Sequence, residues 1–503
     1  MISYLKKIAN HSVIYGASNS VTAAVGYLLL PIYTRFLSPA EYGIFSTINI
    51  SGAVLGVIYD MGLIAALFRW YFDYSKSEEY KRKVIISTIS IFYFFTSSIA
   101  TIILYLFSSK LSGVLFKGQF QYSPLIQLMI LTTYINLLMG VPLSILRLEE
   151  KAHTYMIVSI FKGIGILVIT SLYLIILKAG LLGVYKGGLI VSFVIAVILF
   201  VVTYNNYMLR FSFPEIKKML IFGLMYLPTI IFMWIINFSD RYFLNYYSTL
   251  KDVGIYSFGY KIGQIIYLMV TAFSIGWTPI LFSIAKENNA KKIFAKIMTY
   301  FFLVLFSFVL LISIFSKDIV RLVSVGEYMG SYKIVSFISF SYFLYGIYIF
   351  LFSGLMITKR IGSQPIVIGM AALLNILLNI FLIPKFGYAG AAYSTLYTYA
   401  AVVIGTYLMA QRHYYINYEK VRLLKIIFAG AGILGVSYYK LFGDAVYINI
   451  FWKVILFMMF FYLLYLWGFF SSQEQDKIKY IFQKVRTFIY SQKIIIRSLN
   501  KGD

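Results

Sequence analysis

The chain has 503 residues, 61% hydrophobic and only 12% charged, with a formal net charge of +26 and no cysteine. A soluble domain carries about twice that charged fraction, so too few polar side chains remain to cover a water-facing surface. Disulfides, thiol nucleophiles and cysteine metal sites are excluded, and the three histidines, His11, His153 and His413, lack metal-pair spacing.

Aromatic residues make up 19% of the chain, with Tyr and Phe far ahead of Trp, which suits anchors at a membrane interface. The segment Met1 to Asn10 lacks a signal-peptide cleavage pattern, so the first apolar span is expected to stay as a helix. A crossing needs about 20 mostly apolar residues. The first six spans are expected at Val13–Tyr33, Gly43–Phe68, Val84–Phe107, Leu125–Leu146, Tyr155–Leu177 and Leu181–Tyr204. Six more follow at Met219–Phe238, Val253–Ile275, Ile293–Phe315, Ile334–Ile357, Pro365–Ile383 and Ala389–Met409. The last two are a short, glycine-rich Leu423–Tyr439 and a clear Ile448–Phe470.

Lys and Arg concentrate in alternate connections. The rich set contains Lys6–Lys7, Arg69 to Lys83, Arg147–Lys151, Arg210–Lys218, Lys286–Lys296, Lys359–Arg360, Arg412–Lys425 and the tail. By the positive-inside rule this set is cytoplasmic, which puts both termini inside, as an even number of spans requires. The high positive charge therefore reflects membrane topology rather than nucleic-acid binding. In the tail, Ile478, Ile481, Phe482, Val485 and Ile489 share one helical face beside Lys477, Lys484, Arg486 and Lys493. That pattern suits either a helix lying on an anionic inner leaflet or a partly disordered solubilising tail.

Two stretches about 210 residues apart resemble each other. The first has Ile14-Tyr15-Gly16, Arg35 and Tyr42-Gly43-Ile44-Phe45-Ser46. The second has Ile221-Phe222-Gly223, Arg241 and Val253-Gly254-Ile255-Tyr256-Ser257. The match pairs the first span with the seventh and the second with the eighth. Parallel repeats of six spans suggest two bundles rocking about a central site. The expected organisation is a bundle at 1–212, a second at 213–415, two additional helices at 416–470, and a basic cytoplasmic tail at 471–503.

Charge within the bilayer normally faces a cavity or a partner. The candidates are Lys162, Lys186, Lys261, Asp60, Asp240 and Arg241. A cavity lined by Lys and Arg attracts phosphate or carboxylate oxygens. Lys186 and Lys162 each lie close enough to an interface to snorkel instead, and Lys261 either contacts substrate or pairs with Asp240. Asp60 suits helix capping as well as ion coupling. Pro31, Pro142, Pro228 and Pro279 interrupt spans, either as hinges of a lateral gate or as static kinks. No Walker-type loop, Gly-x-Ser-x-Gly elbow or His-Glu-x-x-His motif occurs, so an ATP-driven pump, an enzyme and a cofactor are not expected. An ion gradient, the membrane potential or the substrate's own gradient remains.

Five elements in order extend this reading: Arg35-Phe36-Leu37-Ser38-Pro39-Ala40-Glu41-Tyr42-Gly43; Asp60-Met61-Gly62-Leu63 with Arg69; Gly223, Pro228, Trp234 and Ser239-Asp240-Arg241-Tyr242; Gly254-Ile255-Tyr256-Ser257, Tyr260-Lys261 and Trp277-Thr278-Pro279; and Asn375, Asn379 with Ile383-Pro384-Lys385-Phe386-Gly387-Tyr388-Ala389-Gly390-Ala391-Ala392. Over nearly the whole chain this resembles the O-antigen, or lipid-linked oligosaccharide, flippases of the multidrug/oligosaccharidyl-lipid/polysaccharide exporter superfamily. The resemblance implies an all-α polytopic membrane protein of about 14 helices, in two six-helix bundles around a cavity with two helices outside. It implies flipping of an undecaprenyl-pyrophosphate-linked glycan across the bacterial cytoplasmic membrane by alternating access. O-antigen, lipopolysaccharide, capsule or similar polysaccharide biosynthesis would be served. Expected partners are membrane lipids, a coupling H+ or Na+, a polysaccharide polymerase and a chain-length regulator. Arg35, Arg241 and Lys261, with Lys162 and Lys186, are the candidate pyrophosphate or acidic-sugar contacts. Asp60, Asp240, Pro31, Pro228 and Pro279 are the candidate gating or coupling residues. A lipid II flippase and a multidrug/cation antiporter share the fold and are the alternatives; a membrane glycosyltransferase or polymerase would need a larger outer loop.

Overall fold

The computed structural model describes residues 23–74, 76–360, 362, 364–438, 446–472 and 474–476. The amphipathic face expected from Ile478 onward, and the first half of the first span, lie outside these residues. Every regular element among the described residues is helical.

In chain order the long helices are α1 (23–36), α2 (39–71), α3 (Glu79–Leu106), α4 (Phe120–Leu148), α5 (Ala152–Ile176), α6 (Gly180–Asn206) and α7 (213–247). There follow α8 (250–284), α9 (Ala290–Ile314), α10 (Gly326–Ile357), α11 (Gln364–Phe386), α12 (Tyr388–His413), α13 (Lys420–Tyr438) and α14 (Val446–Leu466). Twelve helices among the described residues are long and apolar enough to cross a membrane. The other two are α1, described only from residue 23, and α12. Helix α12 has 26 residues but is rich in Ser, Thr and small side chains. It packs against α10 and α11 and leaves a narrow apolar face exposed at Tyr397, Ile404 and Leu408. Two of its buried hydroxyls return to its own carbonyls, Ser394 to Gly390 (2.9 Å) and Thr398 to Ser394 (2.7 Å). Small residues allow close helix approach in membranes. At Gly390 a Cβ would lie 2.2 Å from the Leu382 carbonyl oxygen of α11.

The chain divides into two compact units. One holds the described residues within 1–291 and 315–416, and therefore every residue of the candidate site. The other holds 292–314 and the described residues from 417 on, so that α9 groups with α13 and α14. Within that second unit Gly430 of α13 lies against Phe306 of α9, and Phe306 stacks on Phe460 of α14 at 6.1 Å. Glu474 binds Lys296 (3.2 Å) and Arg422 (2.5 Å).

The sequence repeat has a structural basis in the caps of α2 and α8. Ser38 accepts from the Glu41 N–H (3.3 Å), and the Glu41 carboxylate accepts from the Ser38 N–H (2.8 Å), a capping box with Pro39 at the first helical position. Thr249 accepts from the Asp252 N–H (3.2 Å), and Asp252 accepts from the Thr249 hydroxyl (2.9 Å). These two starts then meet at the repeat-equivalent glycines. A Cβ on Gly254 would fall 1.7 Å from the Pro39 carbonyl oxygen, and one on Gly43 would fall 2.1 Å from that of Leu250.

Several helices are longer than expected and broken. Helix α2 breaks at Met61 (φ 47°) and Gly62 (φ 74°), both left-handed. Helix α7 does not end at Phe238: after a turn at Ser239 it continues to Tyr247, so Asp240 and Arg241 lie inside it. Helix α8 turns at Gln264 and runs on to Ile284. Polar residues at these turns shortened the apolar windows from which the spans were read.

Candidate functional site

The second break in this set, at Ser239 of α7, presents two adjacent charges to the interior. Asp240 is fully buried and Arg241 is 4% exposed. The Arg241 Nη1 donates to Asp240 Oδ1 (2.8 Å) and to the Asn237 carbonyl (2.7 Å), one turn back. The other Asp240 oxygen accepts from the Tyr256 hydroxyl and, at 3.5 Å, from Thr395. The guanidinium lies over the Tyr260 ring at 4.0 Å. A desolvated stacking of this kind is worth about 2 kcal/mol. Tyr260 and Tyr342 share a hydrogen bond (2.8 Å), and Tyr399 donates to Asn237 Oδ1 (2.7 Å). The alternative in which Lys261 pairs with Asp240 does not form, because Asp240 is committed to Arg241 and two hydroxyls.

Arg241 lines a cavity of about 310 Å³ with Lys261, Gln264, Ser257, Tyr260, Tyr42 and Asn49. Arg241 Nε and Ser257 Oγ have no hydrogen-bond partner among the described residues. The Lys261 ammonium lies 5.2 Å from the Tyr27 ring, with no anionic partner among the described residues. Desolvated donors without partners are costly unless something supplies acceptors. This cavity thus has positive charge and spare donor capacity.

A second cavity, about 560 Å³, shares Tyr33, Phe45 and Asn49 with the first. It runs along α2 from Asn49 to Ile64 and is walled by α4, α5 and α6 through Thr133, Asn136, Thr170 and Tyr185. Lys162 reaches it through Asn136, whose Oδ1 accepts from the ammonium at 2.9 Å. Asp60 also lines it, but its oxygens are spent across the α2 break. Oδ2 accepts from the Gly62 N–H (3.2 Å), and Oδ1 from the Ile64 N–H (3.3 Å) and the Tyr93 hydroxyl (2.6 Å). Asp60 caps the second arm of α2.

The stretch of α2 lining both cavities lies between two backbone crossings. At one end Gly43 meets Gly254. At the other, a Cβ on Gly223 of α7 would lie 2.3 Å from the Met61 carbonyl oxygen, and one on Gly62 would lie 2.6 Å from the Gly223 Cα. Pro228 sits inside α7 one turn beyond this crossing. Pro31 begins the last arm of α1 after a turn at Leu29, and Pro279 lies within α8.

Of the candidate cations, the structure brings Arg241 and Lys261 together and sets Lys162 behind the second cavity. Arg35 and Lys186 are exposed and line neither cavity. Sequence reasoning missed Asn237, Tyr342, Tyr399, Asn49 and Asn136, neutral residues with no charge to mark them. The spacing of Asn237 and Arg241, one helical turn apart, is the only local signal that could have found one of them.

The fold is shared with known membrane transporters. A lipid II flippase, MurJ, in an inward closed conformation superposes with a TM-score of 0.75 at 17% identity, covering 90% of this chain and 99% of that one. An inward-facing MATE-family multidrug resistance transporter of the MOP superfamily gives 0.63 at 15%, covering 80% and 97%. A MATE transporter from Vibrio cholerae, VcmN, gives 0.56 at 12%, covering 82% and 97%. No curated protein sequence matches the chain. The family described as "Polysaccharide biosynthesis protein" matches residues 8–285, more than half of the sequence, and the chain belongs to that family.

Proposed function

We propose that this protein flips an undecaprenyl-pyrophosphate-linked oligosaccharide from the cytoplasmic to the outer leaflet of the bacterial cytoplasmic membrane, for O-antigen, capsule or a related surface polysaccharide. The observation that carries this reading is the smaller cavity, where Arg241 and Lys261 converge with unspent donors and no acidic partner remains for a cationic drug. Pyrophosphate supplies the acceptors and negative charge that this set lacks. Arg241 and Lys261 hold the head group, and Asp240 keeps the guanidinium aimed. The two glycine crossings serve as outer and inner closures, with the breaks in α2 and α7 as hinges. The bundles are 1–212 and 213–415, both termini are cytoplasmic, and H+ or Na+ flow or the membrane potential drives the cycle. A polymerase and a chain-length regulator act on the delivered product.

Lipid II carries the same pyrophosphate, and the likeness to MurJ makes its transport the second reading. Binding to the purified protein in nanodiscs separates the readings. Polyprenyl pyrophosphate should bind, and Arg241→Met or Lys261→Met should weaken it at least about tenfold. Preference for lipid II over other pyrophosphate-linked glycans favours the second reading. Binding of lipophilic cations but no pyrophosphate lipid overturns both.

A further inference from the structure

The larger cavity has a polarity and shape of its own. A Lys ammonium has donors and no acceptor, so the 2.9 Å contact from Lys162 fixes which way the Asn136 amide points. Its oxygen faces Lys162, and its Nδ2 is left as an unspent donor at the cavity wall. One turn back on α4, the Thr133 hydroxyl has only the Met129 sulfur at 3.7 Å among the described residues, a weak acceptor. Across the cavity the Tyr185 hydroxyl engages the Phe45 carbonyl (3.1 Å) and Asn49 Oδ1 (3.3 Å). The one carboxylate among the described lining residues, Asp60, already accepts three hydrogen bonds. The polar wall therefore offers donors and few free acceptors. Its remaining surface is apolar, from Ile64, Leu137, Ile166 and Val184.

The space itself comes from missing side chains. Gly52, Gly56, Gly140 and Gly188 line the cavity from three helices. Among the described residues, a Cβ on Gly188 would meet nothing within 4 Å, and one on Gly56 only the Thr133 methyl at 3.8 Å. Packing does not demand glycine at 188. The volume lies within the range that encloses a small ligand, and the cavity adjoins the cationic one through Tyr33, Phe45 and Asn49.

We infer that the larger cavity is a glycan subsite, for the sugar next to the pyrophosphate, and that it selects a sugar bearing a carbonyl-oxygen substituent, an acetamido group or a carboxylate. Asn136 Nδ2 and the Thr133 hydroxyl donate to that oxygen, Lys162 holds the amide in place, and the apolar patch takes an acetyl methyl. This rests on the pyrophosphate reading above, which places the neighbouring sugar here. A site built to hydrogen-bond a substituent rejects an analogue lacking it, because its own donors are then left unpaired.

The test uses the full-length protein in nanodiscs and four synthetic lipids: polyprenyl pyrophosphate alone, or carrying glucose, N-acetylglucosamine or glucuronate. Wild type should bind an acetamido or carboxylate lipid at least about tenfold tighter than the glucose lipid. Asn136→Ala should erase that preference while changing the affinity for the glycan-free lipid less than about twofold. A Cβ at Gly188 enters open space among the described residues, so Gly188→Leu should project into the cavity and exclude every glycosylated lipid while still binding the glycan-free one. Preference for glucuronate that disappears in Lys162→Met identifies the carboxylate; preference for N-acetylglucosamine identifies the acetamido group. Unchanged sugar preference in folded Asn136→Ala, or normal binding of glycosylated lipids by Gly188→Leu, overturns the subsite while leaving the pyrophosphate reading intact. Failure of wild type to bind even the glycan-free lipid overturns both.

Discussion

Replacing Gly254 by alanine adds one methyl group at the tightest glycine crossing among the described residues. Its Cβ would lie 1.7 Å from the Pro39 carbonyl oxygen, 2.7 Å from the Pro39 carbonyl carbon and 3.1 Å from the Gly43 nitrogen. All three are backbone atoms, so no side chain can swing away. Bringing the first contact out to 3.0 Å requires α2 and α8 to separate by about 1.3 Å. Overpacking of this size typically costs about 1–3 kcal/mol, and here it falls only on conformations in which the crossing is closed. Each 1.4 kcal/mol is about tenfold in population, so the outward-open form should gain roughly five- to hundredfold. Gly223→Ala is the opposite perturbation, because its Cβ would lie 2.3 Å from the Met61 carbonyl oxygen at the other crossing. The chain contains no cysteine, so Asn49→Cys in the shared cavity wall is a clean reporter for an impermeant maleimide. Gly254→Ala should speed labelling from the outer side, and Gly223→Ala should speed it from the cytoplasmic side. Equal labelling in all three backgrounds, with the proteins folded, would refute the assignment of these crossings as gates.

Asp240→Ala leaves Arg241 buried without its carboxylate, and thermal melting in detergent should show a loss of about 3–5 kcal/mol. Asp240→Leu with Arg241→Met removes both charges and should recover most of that stability but not flipping; an Asp240→Ala protein as stable as wild type contradicts the pairing. Asp60→Ala should lower stability by about 1 kcal/mol through loss of the α2 cap, whereas Asp60→Asn keeps an acceptor and should retain most of it. A transport pH profile abolished by Asp60→Asn at normal stability would instead mark Asp60 as a coupling group. Burial pushes the Glu474 carboxyl up, but hydrogen bonds from Tyr300, the Ser471 N–H, Lys296 and Arg422 outweigh it and hold the group down at about 2. The folded value lies below the unfolded one, so this contribution is full above about pH 4.5. It is lost as pH falls toward 2. Glu474→Gln should melt with less dependence on pH across that window, and an unchanged slope would show that the cluster does not stabilise the fold.

Much of the fold was legible because lipid imposes a simple rule. A backbone in hydrocarbon must satisfy its own hydrogen bonds, so long apolar runs become helices. Helix α2 starts at Pro39, four residues before the apolar span expected from Gly43, and the Ser38, Pro39 and Glu41 capping signature is the local signal for that earlier start. Where polar side chains satisfy one another inside the protein, that rule loses its grip. Helix α7 was read as ending at Phe238 because Asp240 and Arg241 look like an aqueous boundary, yet Tyr256, Tyr260 and Asn237 enclose them. For the candidate site, charge marked Arg241, Lys261 and Lys162 alike with Arg35 and Lys186, and only the structure shows that the last two are exposed and line neither cavity. That distinction depends on which helix face meets a neighbour. Asn49, Thr133, Asn136 and the open space at Gly188 become a cavity only once α2, α4 and α6 are placed together, and no local pattern encodes that meeting.

A protein that moves a lipid-linked glycan between leaflets should strand that glycan in the inner leaflet when it is lost. The most direct test is to deplete it from its native host and measure which leaflet holds the lipid-linked oligosaccharide, using an impermeant glycan-modifying reagent on intact and inverted vesicles. Loss of surface glycan, with complete oligosaccharide protected in intact vesicles and reactive in inverted ones, is the expected result. Normal surface glycan with the oligosaccharide reaching the outer leaflet at its usual rate would contradict the account.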